Sequence, residues 1–121
     1  MKPKIAATLL AGSMLWAAAA SAQTALVEVP DATIVPPFNI AAGLLDDIDV
    51  YTAEGVEVGD VEEILGPDAN TPTHLAVDFD NQAGFADRDV LVPIEAFTLD
   101  ANRLIISLTP QAVAELPTWD D

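Results

Sequence analysis

The residues able to carry chemistry are few in kind. After residue 22 the chain has a single serine, Ser107, a single histidine, His74, no lysine and no cysteine, against 20 aspartates and glutamates. Without a thiol or an amine, cysteine nucleophiles and Schiff-base lysines are excluded. A Ser107–His74–Asp relay would need its serine on a sharp glycine-flanked turn, and Ser107 instead sits within the apolar run Leu104–Leu108. His74 has no second imidazole or thiol with which to hold zinc. That leaves carboxylates. Asp78-Phe79-Asp80-Asn81-Gln82 alternates oxygen donors like the start of a calcium loop, but Ala83 and Asp89 stand where an EF-hand requires Gly and Glu. Asp46, Asp47 and Asp49 form a second acidic group. Low-affinity cation binding is the most these patterns support, so no catalytic residue, resident metal or cofactor is assigned.

Arg88 is the cationic exception, set between Asp87 and Asp89 at the mouth of the apolar run Val90–Val92. One reading makes it charge relief where a loop enters a strand, a pairing that at a surface adds only about 0–1 kcal/mol. The other makes it a partner contact beside an exposed Phe85, with Trp119 as a further aromatic anchor. The first is favoured for Arg88; Phe85, Arg88 and Trp119 remain the candidate partner-binding residues.

These side chains must be positioned by a small exported domain. Lys2 and Lys4 precede an apolar run from Ile5 to Ala20, and Ala20-Ser21-Ala22 supplies the small residues of a cleavage site. Residues 1–22 therefore read as a signal peptide, cleaved before Gln23, or as a membrane anchor if left in place. Cleavage removes both lysines, and 20 acids against Arg88 and Arg103 leave a formal charge of −18. Such a surface repels nucleic acid and anionic lipid. The expected location is the periplasm, with no stable membrane span after cleavage.

Residues 23–43 read as an extended tether broken by Pro30, Pro36 and Pro37, with an edge strand in Ala25–Val29 and a single helical turn at Ala41–Leu45 behind an Asn39 cap. Residues 44–119 read as the folded domain and 120–121 as a tail. Ile48 and Val50 alternate with acids, Glu54-Gly55 marks a turn, and Val58 and Val61 differ in parity across Gly59, the signature of a bulge. Leu75, Val77 and Phe79 form a half-buried strand; Val90–Val92, apolar on both faces, reads as a central one. Leu104, Ile106 and Leu108 form a last strand, and Thr109-Pro110 caps a short helix that stops at Pro117, with Val113 and Leu116 facing inward. The sum is a mainly β domain: a small, strongly bent antiparallel barrel with a short C-terminal helix. A core this small is marginal alone, which makes a homodimer or a docked partner plausible.

LDDIDVYTAEGVEVGDVEEIL (Leu45–Leu65) resembles the opening hairpin of the PRC-barrel family, and LAVDFDNQAGFADRDVLVPIEAF (Leu75–Phe97) its second half. LTPQAVAELPTW (Leu108–Trp119) resembles its closing strand-to-helix tail. The resemblance places Val50, Tyr51, Gly55, Gly59, Val61, Gly84, Asp89, Val90 and Pro93 at structural motif positions. The loop departs from the pattern, with Ala83 and Ala86 where glycine is common. The family includes a domain of the photosynthetic reaction-centre H subunit and one of a ribosome-maturation factor, so the resemblance implies a binding or scaffolding module rather than an enzyme. The expected function is a non-enzymatic interaction or scaffold module of the periplasm or cell envelope with an unidentified protein partner. A low-affinity calcium- or cation-responsive acidic protein is the alternative, and a hydrolase comes last.

Overall fold

The computed structural model describes residues 25–120; the signal-peptide reading of residues 1–22 lies outside them. Strands run β1 (Val27–Glu28), β2 (Ile34–Val35), β3 (Ile40–Ala41), β4 (Asp49–Tyr51), β5 (Glu57–Gly66), β6 (His74–Phe79), β7 (Asp89–Pro93), β8 (Phe97–Asp100) and β9 (Arg103–Ile106). Helix α1 (Ala42–Leu45) follows β3, a 3-10 turn (Ile94–Ala96) joins β7 to β8, and α2 (Pro110–Ala114) closes the order. One sheet runs β7-β6-β5-β4-β9-β8, with β1 added beside β5, while β2 and β3 form a separate hairpin.

The curvature is written into β5. Val58 is an extra residue opposite β4, where Val50 faces Gly59 and Tyr51 faces Glu57. Glu62 is an extra residue opposite β6, where Val61 faces Val77 and Glu63 faces Ala76. Each bulge bends and twists its strand, so one ten-residue strand serves β4 and β1 along one edge and β6 along the other. Gly59 is required here because a Cβ would collide with the Asp78 carbonyl oxygen. The pairs are antiparallel as expected except β4–β9, which is parallel, with Val50 beside Leu104 and Tyr51 beside Ile105. Parallel neighbours need a long crossover, and β5 to β8 supply it. The 3-10 turn then carries the chain from one end of the sheet to the other, its Ile94 and Ala96 side chains buried.

Leu75, Val77, Val90, Val92, Leu104 and Ile106 share one interior with Val50, Val58, Val61 and Phe79. Thr109 caps α2 as expected, its hydroxyl accepting from Ala112 N at 3.1 Å, and Val113 turns into the core.

Four readings of the sequence need correction. The expected tether is packed from β1 onward, because Val29, Val35 and Ala42 enter the core. The expected helical turn forms, but Ala41 takes the cap position without a side-chain bond, and Asn39 lies in the left-handed region (φ 61°). The expected last strand through Leu108 stops at Ile106, and Phe97–Asp100, to which no element was assigned, pairs with it as a hairpin. Finally, β7 is not central. It ends the sheet, and its outer edge is covered by the chain's own tail: Leu91 N donates to Pro117 O and Trp119 N to Asp89 O, both at 2.9 Å. Among the described residues no helix is long and apolar enough to cross a membrane.

Candidate functional site

Period-two alternation sends one aspartate of each of four adjacent strands to the exterior, and the registers line them up. Asp49 on β4 faces Asp60 on β5, Asp60 faces Asp78 on β6, and Asp78 faces Asp89 on β7. Carboxylate oxygens of Asp60, Asp78 and Asp80 lie within 4.8 Å of one another, as do those of Glu62, Asp78 and Asp89. Like charges this close resist simultaneous ionisation. Partial burial, then the Asp78, Asp80, Asp49 and Asp47 charges, hold the Asp60 carboxyl above the usual aspartate range. Partial burial, then Asp89 by charge and by hydrogen bond, then Asp87, do the same to Asp78. Asp46 is also raised, by burial and then by Asp47, Asp31 and Glu28. Asp78 and Asp80 thus meet through strand pairing with Asp60 rather than through the contiguous calcium-type loop their spacing suggested.

A second feature is a groove of about 550 Å³ at one end of the barrel. The Thr52–Val56 turn forms one wall and Ser107–Pro110 the other, with Ala83, Phe85 and Ile106 between them. The turn is held by Thr52 N to Val56 O and Gly55 N to Thr52 O, both 2.9 Å, and Gly55 supplies the left-handed φ of 93° that it needs. Gly84, at φ 89°, brings the opposite loop against Pro110, whose Cγ lies 3.3 Å from where a Cβ would stand. Phe85 and Ile106 are buried, whereas Val56 is 42 % exposed. Its polar lining residues are Thr52, Glu54, Ser107 and Thr109, and the three hydroxyls each make a local backbone hydrogen bond, to Val56 N, Ala96 O and Ala112 N.

The family model for the PRC-barrel domain matches residues 40–112, from β3 into α2. The chain belongs to the PRC-barrel family. No curated protein matches it. Within this PRC barrel the motif residues are framework. Val50, Val61 and Val90 fill the core, Pro93 closes β7, and Asp89 ends the carboxylate row. Tyr51 is half-buried, with the Arg103 guanidinium 4.9 Å from its ring centroid.

The three expected contact residues do not form a common surface. Phe85 is 2 % exposed and stacks on Phe79 with ring centroids 5.1 Å apart and 6° between planes. Its apolar bulk goes inward because the loop following Gly84 folds back over the end of β6. Arg88 is half-buried, and its Nη2 donates to the Val113 carbonyl at 3.0 Å. It ties the loop to the last turn of α2, as a second donor to a carbonyl that also accepts from Leu116 N at 3.0 Å. Trp119 is half-buried against β7, its Nε1 without a hydrogen-bond partner among the described residues. Ser107 Oγ donates to Ala96 O at 3.1 Å, and His74 Nδ1 shares a 2.8 Å hydrogen bond with Thr73 Oγ1. The groove was missed from sequence; its local signals were Val56, apolar beside the Glu54-Gly55 turn, and the hydroxyls flanking Leu108.

Proposed function

We propose that this PRC barrel is an exported, non-enzymatic interaction or scaffold module that works in the periplasm or at the cell envelope after removal of residues 1–22. The groove between the Thr52–Val56 turn and Ser107–Pro110 carries the reading. It is lined by apolar side chains with Thr52, Ser107, Thr109 and one acid, Glu54, among them, a composition suited to seating an extended, mostly uncharged segment of a protein partner. Elsewhere the acidic exterior favours approach of a basic partner and disfavours nucleic acid. The local bonds of Ser107 and His74 support a contact role over a hydrolytic one.

Val56 is exposed, so Val56→Arg places charge and bulk in the groove with little effect on the core. In-cell cross-linking followed by identification of captured proteins should lose a specific partner in Val56→Arg. The partner should be retained in Leu44→Arg, a control at a side chain 67 % exposed on α1. Equal capture by both variants overturns the groove as the contact. N-terminal mass analysis of an osmotic-shock fraction should find the chain beginning at Gln23; an uncleaved chain confined to the cytosol removes export from the proposal.

A further inference from the structure

The outer edge of β7 already holds a strand. Leu91 N donates to Pro117 O and Trp119 N to Asp89 O, which makes Val90 and Thr118 an antiparallel pair. The strand it holds is a poor match in three respects. Pro117 has no N–H to return to the Leu91 carbonyl, so the ladder is incomplete on that side. The buried Trp119 Nε1 has no hydrogen-bond partner among the described residues, and an unpaired buried donor costs stability that a better strand would keep. The third mismatch is charge. The tail continues into Asp120 as it passes Asp89, which has Asp87 two residues before it and Asp78 opposite it on β6. Arg88, between the two β7-side acids, is turned to the Val113 carbonyl.

The tail can leave without opening the barrel. Val113 lies in the core and Leu116 packs against it, and the Arg88 bond holds the end of α2. The movable piece therefore begins at Pro117, and Thr118 and Asp120 within it are exposed.

We propose that the outer edge of β7 is a strand-acceptor site for an extended, basic segment of a protein partner, and that residues 117–120 are an internal competitor which that segment displaces. Strand addition of this kind draws affinity from main-chain bonds and specificity from alternate side chains. Here the incoming backbone takes over the bonds to Leu91 N and Asp89 O. A residue with an N–H in the place of Pro117 adds a bond to Leu91 O. Lysine or arginine in the places of Trp119 and Asp120 meets the acids flanking the edge with opposite charge, a favourable cross-strand pairing. No residue of β7 or of the tail lines the groove at the barrel end, so this is a second contact, independent of the first.

The probe is the blocked peptide Leu-Val-Thr-Lys-Lys, which follows the tail's course with valine for Pro117 and lysines for Trp119 and Asp120. Its binding to the full chain is followed by amide hydrogen exchange and by titration. The Trp119 amide should lose protection as the peptide binds, while the Leu91 amide, bonded to the peptide instead, keeps it. Trp119→Pro removes the donor to Asp89 O as well as the ring, and should tighten peptide binding by about ten-fold, the equivalent of one lost hydrogen bond and its packing. Trp119→Ala, which keeps the N–H, should tighten it less. Proline for the peptide valine should weaken binding, glutamates for its lysines should abolish it, and Val56→Arg, in the groove, should leave it unchanged. Binding that leaves Trp119 protected would place the peptide merely on the acidic exterior and overturns the proposal. So do equal affinities for the unaltered chain and both Trp119 variants, loss of binding in Val56→Arg, or no binding at millimolar peptide.

Discussion

Phe85→Ala separates a structural ring from a contact ring. The side chain is 2 % exposed and lies 5.1 Å, centroid to centroid, from Phe79 in a stacked arrangement. Truncating a buried phenylalanine to alanine costs about 3–5 kcal/mol, of which the ring–ring contact accounts for about 0.5–1.5 kcal/mol. Phe85 also lines the barrel-end groove, so water can reach part of the space left behind, which favours the lower end, about 3 kcal/mol. A domain of this size has a total stability on the order of 5–15 kcal/mol, so this one change removes a large share. With a urea slope of about 1–3 kcal/mol per molar, the midpoint should fall by roughly 1–3 M. Phe85→Leu, which keeps an apolar plug under the loop, should lose less than half as much. The assay is equilibrium urea unfolding followed by tryptophan fluorescence, with the slope checked for constancy. A midpoint shift below about 0.3 M would mean that the ring is not packed as described, and the loop would return as a contact surface.

Gly59→Ala drives a methyl group into the Asp78 backbone at the bulge that bends β5. It should destabilise by more than about 3 kcal/mol, in the range reserved for overpacking and strain, and circular dichroism should show loss of the folded barrel at modest temperature. Ala83 holds φ at 53°, a conformation that costs an L-residue about 1–2 kcal/mol and glycine almost nothing. Ala83→Gly should therefore raise stability by about 0.5–1 kcal/mol, read as a higher urea midpoint. Sodium chloride should raise the melting temperature at pH 7.5 by screening the like-charged exterior. Calcium chloride at matched ionic strength should do no more, and a larger calcium effect would show that the carboxylates chelate rather than merely repel.

The parts legible in the sequence were those decided by near neighbours. Leu75-Val77-Phe79 alternation, the parity break at Gly59 and the Thr109-Pro110 cap each declare a local geometry, and together they define the interior. What escaped was set by distant partners. Phe85 looked exposed because it follows a glycine in a polar loop, and only the fold-back onto Phe79 buries it. Val90–Val92 looked central because both faces are apolar, yet what lies beside β7 is the tail at Pro117–Trp119 rather than another strand. Each aspartate of the exterior row was visible as the polar half of its own strand. Their alignment depends on two bulges in β5, and a register between strands is not carried by either strand alone. Val29 and Val35 were hidden among prolines that signal irregular backbone but say nothing of where the intervening side chains go.

The tail lying along β7 has a consequence for how copies of this protein behave toward one another. An uncovered strand margin is a template for foreign backbone, and here the final residues fill that margin with the chain's own amides and carbonyls. A molecule cut short before Pro117 would carry an open, half-apolar rim. Only mutual charge repulsion would then hold molecules apart, and concentrated salt or mild acid weakens it. Residues 117–119 thus shield the β7 margin from self-templating, and their removal should show first as clumping in conditions that the intact barrel tolerates.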